Sequence, residues 1–459
     1  MKSRRMDDRG TMPTRRQVAL GDVADTAKSP GVGLTRFVRA FLRDLRTPLY
    51  KNSMFLMINS VSNNVLGFTF WMIAAWFYSV SDFGLAAALV SGASLIAGLS
   101  TLGLGTGLIR FLPESSDKEK PLISSTFFVC GVIAFALAIV FVIGTQFWFP
   151  ALEFLTEDVF VLLAFVIFAV IFAVTPIIDD VFIAKRSAKY VLYKSLVFHP
   201  VRLILVSIFA VGFGAFGIFA SWGLALLLAF IVSLSLFLTR LVPGYVPLPQ
   251  LYVEGVRKMI RFSFKVHLAG ILTMLPGMLL PLLTLGLTSA EETAYFYVAW
   301  TIAGVLFVIP RSIGTSLFAE GSTYKSRLRT DTFKSAKLIF ILLAIGIVLV
   351  FIFGGYALAL FGVEFSEGGF GLLRILALSG IFVAINSLYV ATKMVEKNIT
   401  PIILLAALTA FGTIGIGHLL IQSMGIVGIG VGSITSQGLA SLAIGLSYLV
   451  RNRRKTGVD

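Results

Sequence analysis

Charge is what this chain lacks most. Only 13% of its 459 residues are Asp, Glu, Lys or Arg, while 57% are hydrophobic. A soluble domain has roughly 25% charged and about 45–50% apolar residues, so a soluble globule is excluded. The single cysteine, Cys130, lies in an apolar run and excludes an intrachain disulfide. His199, His267 and His418 are scattered, and no Cys or carboxylate stands near them at metal spacing. There is no phosphate-binding glycine loop and no nucleophile elbow. Catalytic residues, metal ligands and a cofactor are therefore not expected, and ATP-driven pumping would need a partner to supply the ATPase. A polymerase or glycosyltransferase would expose a large polar loop, whereas the longest internal connections are only about 20 residues, too short for a catalytic domain. The first 51 residues also lack the early apolar core of a cleavable signal peptide, carrying 12 Lys and Arg against five Asp.

What is present is a series of apolar runs near 54–79, 84–109, 122–148, 159–178, 190–212, 215–239, 262–286, 293–317, 338–357, 368–390, 400–421 and 425–450. Each approaches the ~20 residues needed to cross hydrocarbon as a helix. The sequence thus predicts an all-α polytopic membrane protein with 12 transmembrane helices. Of its 38 Lys and Arg, 35 fall in the tails and in alternate connections with adjoining helix ends, and the remaining three, Arg202, Arg311 and Arg374, lie inside spans. By the positive-inside rule both termini are expected in the cytoplasm, with the protein in the cell membrane. The formal charge of +15 then reflects topology and attraction to anionic membrane lipids, with no motif for nucleic acid.

Residues 1–30 mix Gly, Pro, Asp and Arg without periodicity and read as a disordered tail. In 31–50, Arg36, Arg39, Arg43 and Arg46 recur at helical steps opposite Phe37, Val38, Phe41, Leu42 and Leu45, which predicts a basic helix lying on the membrane surface. Beyond it the chain repeats. An offset of 209 carries the first span onto the seventh, Ser81-Asp82 onto Ala290-Glu291, and Gly105 to Ile109 onto Gly314 to Phe318. Six spans per half is an even number, so the repeats enter the membrane in the same direction. Two parallel six-helix lobes follow, 51–240 and 259–450, joined by a cytoplasmic linker over 241–258 and ending in a basic tail over 451–459. In alternating-access transporters of this plan the cargo site lies between the lobes.

The candidate site residues come from the same spans. A basic side chain at a helix centre costs about 2.5–3.5 kcal/mol on insertion scales and normally faces a cavity or a partner. Arg202, Arg311 and Arg374 are therefore candidate ligands for an anionic cargo, because a guanidinium fork matches two phosphate oxygens. In the first span Asn59 and Asn63 stand one turn apart, where their amides either bond sugar hydroxyls or bind helices together. Asp179 and Asp180, at the end of the fourth span, are the carboxylates nearest to hydrocarbon. The absence of a mid-membrane carboxylate weighs against a cation-coupled drug or metabolite exporter.

Several stretches carry a family resemblance: Lys51-Asn52 leading into Asn63-Asn64-Val65-Leu66-Gly67, Ser81-Asp82-Phe83-Gly84, Gly103-Leu104-Gly105, Arg110-Phe111-Leu112-Pro113-Glu114, and Asp180 through Lys185-Arg186 to Arg202. Across 51–450 the chain is similar to the polysaccharide (O-antigen and teichoic-type) flippase branch of the multidrug/oligosaccharidyl-lipid/polysaccharide exporter superfamily. The resemblance implies two six-helix lobes around a cavity that opens alternately to either side. It also implies a polyprenyl-diphosphate-linked oligosaccharide as cargo, with Arg202 and Arg311 in a cationic cavity and a glycan polymerase or transferase as partner. The span count departs from the fourteen of the related lipid II flippases. A cation-coupled exporter and a non-transporting scaffold of a glycan-assembly complex are the alternative readings.

Overall fold

The computed structural model describes residues 48–456. The tail expected over 1–30 and the surface helix expected over 31–50 lie outside the described residues, except for 48–50, which begin the first long helix. Twelve long helices follow. The first six are α1 (Pro48–Phe77), α2 (Val80–Ser100), α3 (Glu119–Trp148), α4 (Val159–Ala184), α5 (Lys189–Ile208) and α6 (Gly214–Val232), which continues through a π turn at Ser233–Leu238. The second six are α7 (Val253–Leu287), α8 (Ala290–Thr323), α9 (Leu328–Ala359), α10 (Val363–Val395), α11 (Thr400–Met424) and α12 (Ile426–Thr456). Eleven are long and apolar enough to span a membrane. The other, α1, is thirty residues long but carries Asn59, Asn63 and Asn64, which lower its hydropathy below that of the rest.

These helices form two lobes of six with the same internal plan. In the first lobe α1 packs on α5, α5 on α6, α4 on α6 and α3 on α4; in the second α7 packs on α11, α11 on α12, α10 on α12 and α9 on α10. Both lobes also share a cap. Ser79 accepts a bond from the Asp82 N–H at the start of α2, and Ser289 accepts one from the Glu292 N–H at the start of α8. This serine-to-acid spacing satisfies free amides at a helix N-terminus. The two acids then reach onward: Asp82 Oδ1 accepts from Ala215 N–H at the start of α6, and the Glu292 carboxylate lies against the Ile426 N–H at the start of α12. The repeat thus runs in a register of 210 residues at this point, one more than the sequence offset.

Two segments differ from the sequence pattern. The second apolar run is broken after Ser100, and a short helix, Leu104–Phe111, takes a new direction. Leu102 and Gly103 adopt positive φ there, a conformation that only glycine takes without strain. In the other lobe α8 runs unbroken through the matching stretch. The second difference is at the start of α7, where the basic segment from Val253 is continuous with the span.

Basic residues mark one end of the bundle. Lys118, Lys185, Arg186, Lys325, Arg327 and Lys397 lie in its connections, tied by Lys185–Glu119, Lys118–Tyr252 and Asn52–Ala188 contacts. The opposite connections, at 78–79, 149–158, 209–213, 288–289, 360–362 and 425, contain no Lys or Arg.

Candidate functional site

The two lobes meet unequally along their seam. Far from the basic end the contact is tight. Trp76 Nε1 donates to Leu360 O at 2.8 Å, and Phe68 meets Phe361 edge to face with centroids 5.0 Å apart. Trp71 lies on Tyr297 at 4.7 Å, and Phe83 on Phe365 at 5.3 Å. At Gly84 the backbones of α2 and α8 come so close that a Cβ would run into the Ala290 carbonyl. This end is sealed by aromatic packing and glycine.

Toward the basic end one side of the seam stays closed. The short helix Leu104–Phe111 sits between α4 and α7, with Gly107 against Met259, Gly105 against Asp180 and Phe111 on Phe262 at 5.4 Å. The symmetry-related side, between α1 and α8, is different. The basic half of α1 touches its own lobe along one stripe, facing α5, and Asn63, Asn64, Val61 and Val65 are exposed. The matching half of α8 exposes Arg311, Ser312, Thr315 and Ser316. Arg311, Ser312 and Thr315 are thus exposed on the face of α8 away from its own lobe, whereas Ser316 lines a cleft with Asp331, Lys334 and Ser335 of α9.

The α1–α5 stripe is a hydrogen-bonded ladder in constant register. Asn52 Oδ1 accepts from Ala188 N–H at 3.0 Å, Asn63 Oδ1 meets His199 Nε2 at 2.7 Å, and Leu66 O accepts from Arg202 Nη2 at 3.1 Å; each pair is 136 residues apart. Equal separation at every rung means that two parallel helices run side by side without slip. Asn59, on the same stripe, is buried with its Oδ1 unpartnered.

Arg202 is the centre of this cluster and only 2% exposed. Phe70, Trp222 and Phe198 enclose its guanidinium with ring centroids 4.4, 4.5 and 4.7 Å away. A cation over an aromatic face is attracted by the ring quadrupole, more strongly once water is excluded. Its Nη2 also donates to His199 Nδ1 at 3.1 Å. Two donors cannot share that contact, so His199 is neutral, with its proton on Nε2 directed at Asn63. The Arg202 Nε finds no partner.

The five residues named from sequence therefore separate. Arg202, Asn63 and Asn59 share the α1–α5 stripe, and Arg311 stands on the opposing helix α8. Arg374 is exposed on α10, with its guanidinium 3.9 Å from the Phe370 ring centroid and 5.6 Å from that of Phe351 on α9. One functional-looking group lay outside that set. Lys194 on α5 is buried and paired with Asp179 on α4, with Asp180 beside them against Gly105. Among the described residues no cluster of His, Cys, Asp and Glu has the arrangement of a metal site.

No family model matches the sequence, and no curated protein matches it. Solved structures do match the fold. The chain is similar to a multidrug resistance MATE family transporter of the MOP superfamily in an inward-facing conformation, at TM-score 0.66 and 14% identity, covering 87% of this chain and 96% of that one. It is similar to the lipid II flippase MurJ in an inward closed conformation, at TM-score 0.70 and 12% identity over 86% of this chain and 87% of that one. A third likeness is to a MOP superfamily transporter from Pyrococcus furiosus described as having a binding pocket of reversed polarity, at TM-score 0.58 and 14% identity over 88% and 95% of the two chains. The fold is thus that of the multi-pass, two-lobed transporters of this superfamily.

Proposed function

We propose that this protein is a flippase that moves a polyprenyl-diphosphate-linked oligosaccharide from the cytoplasmic to the outer leaflet, with the basic end of the bundle in the cytoplasm. The observation that carries this reading is the α1–α8 seam, sealed at the far end and open along the basic half. A cargo with a large polar head and a long apolar tail needs a slot that admits the head while the tail remains in lipid. Arg311 and Thr315 on α8 supply donors for the head, and Met57, Val61 and Val65 on α1 offer an apolar rail for the tail.

In this account Arg311 makes first contact with the diphosphate through its planar fork. Arg202, held behind α1 in its aromatic box, adds a fixed positive potential, and Asn59 and Asn63 set the wall that the sugars pass. Arg374 lies outside the cargo path. Cargo binding favours the state that encloses it, the seal between Trp76 and Leu360 parts, and the head is released on the far side. Such a shift requires the cargo to bind the two states with different affinity. The proposed boundaries of the moving units are the two lobes, turning on the linker between α6 and α7.

A cation-coupled exporter is the second reading, favoured by the part-buried carboxylates Asp179 and Asp180. Reconstitution into vesicles separates the two. Movement of a lipid-linked oligosaccharide between leaflets, lost in Arg311→Ala and partly kept in Arg311→Lys, supports the flippase. Export of a cationic dye with no effect on the lipid-linked cargo supports the exporter.

A further inference from the structure

Away from the seam, α3, α4 and α6 leave a groove on the flank of the first lobe at the basic end, covered by the interlobe linker. It encloses about 400 Å³. Phe128 and Phe135 of α3 form one wall, Phe230 and Leu234 of α6 the other, and Pro247 and Pro249 of the linker close it. Its polar side chains, Ser124 and Tyr245, bond each other at 3.2 Å and so leave the lining apolar. The groove runs along α3, α4 and α6, helices of membrane-spanning length, and its apolar lining suits hydrocarbon better than water.

Two features give the groove a specific occupant. At its floor, a Cβ on Gly131 would first meet Val174 Cγ1 at 3.9 Å, so the groove is deep where a side chain would otherwise fill it. One turn before the lining residue Ser124 on α3, Lys120 Nζ lies 3.2 Å from where a Cβ on Gly244 would stand, and Gly244 directly precedes the lining residue Tyr245. Among the described residues no carboxylate pairs with Lys120. An apolar slot ending at an unpaired cation near the headgroup level matches a lipid whose head is anionic. The α6 backbone widens into its π turn at this same level, a distortion often found at functional sites.

We infer that this groove binds one hydrocarbon chain of an anionic membrane phospholipid, with the lipid phosphate against Lys120. Because Tyr245 and the linker prolines form part of the wall, the bound lipid holds the linker on the first lobe. Its effect on lobe movement rests on the transporter reading above, whereas the binding itself does not. The test is native mass spectrometry of the purified full chain with phosphatidylglycerol and phosphatidylethanolamine of identical tails. Wild type is expected to retain phosphatidylglycerol several-fold over phosphatidylethanolamine. Gly131→Trp, or Val132→Trp if the first variant does not fold, should lose the retained lipid, and Lys120→Gln should lose the preference between heads. Equal retention of both lipids, undiminished retention in the folded Trp variant, or retention of neither lipid would overturn the inference. Lipid retention is read without any transport assay, so its failure is distinct from failure of the flippase reading.

Discussion

Asn63 Oδ1 accepts a hydrogen bond from His199 Nε2 at 2.7 Å, and this fixes both the tautomer of the histidine and the register of α1 on α5. The other ring nitrogen is thereby free to accept from Arg202. The two bonds act as one chain, so neither side chain is replaceable alone. Asn63→Leu and His199→Leu should each lower the thermal stability of the purified protein. The double variant should lose less than the sum, with a coupling of about 0.6–2 kcal/mol, the range for polar contacts between membrane helices. Strict additivity in thermal unfolding would show that the bond carries no weight.

Arg202 fills a box made by Phe70, Phe198 and Trp222. Truncation to Ala leaves both a cavity and three rings without their cation, a loss of about 2–5 kcal/mol by analogy with large-to-small core changes. Arg202→Met, which keeps most of the volume, should recover much of that stability while losing the charge. Comparison of the two variants by unfolding and by transport separates the packing role of Arg202 from its electrostatic one.

Lys194, buried on α5, forms an ion pair with the part-buried Asp179 on α4. Removing one partner strands the other charge, at a cost approaching the ~3–5 kcal/mol of a fully buried pair, whereas neutralising both is far milder. Lys194→Met is therefore expected to reduce folded protein sharply, and Lys194→Met with Asp179→Asn to restore it. Fluorescence-detected size exclusion of the three proteins checks this order.

The sealed end depends on Trp76 and on the close approach at Gly84. Trp76→Phe removes one hydrogen bond to Leu360 O, worth about 1 kcal/mol, and so shifts a two-state equilibrium by roughly fivefold toward the opposite-facing state. Gly84→Leu should shift it further by forcing α2 and α8 apart. Spin-label distances across the far ends of these helices should lengthen in both variants.

Much of the architecture is legible in the sequence because span length and charge placement are properties of the chain read one residue at a time. The six-plus-six repeat was visible too, although the offset of 209 paired Asp82 with Glu291, whereas the matched caps, Ser79–Asp82 and Ser289–Glu292, run at 210. The break after Ser100 was not visible. Gly103 in an apolar run reads as part of a span, and what turns the chain there is packing against His267 and, just beyond, of Gly105 on Asp180 and Gly107 on Met259. The candidate site was partly legible. A mid-span arginine is evident from sequence, but its enclosure by rings from α1, α5 and α6 is a tertiary property. Asn59 and Asn63 were readable as one stripe, and its direction toward α5 was encoded only in the equal 136-residue separation of Asn63 from His199 and of Leu66 from Arg202.

Entry of a diphosphate-linked glycan through the basic half of the α1–α8 seam is open to direct measurement. Asn64→Cys and Ser312→Cys are combined in a Cys130→Ala background and joined across the seam with a short bifunctional crosslinker, in vesicles loaded with labelled lipid-linked oligosaccharide. Crosslinking is expected to stop leaflet exchange, cleavage of the crosslinker to restore it, and excess cargo to protect the pair from reaction. Full exchange in the crosslinked protein, with no protection by cargo, would contradict this route of entry.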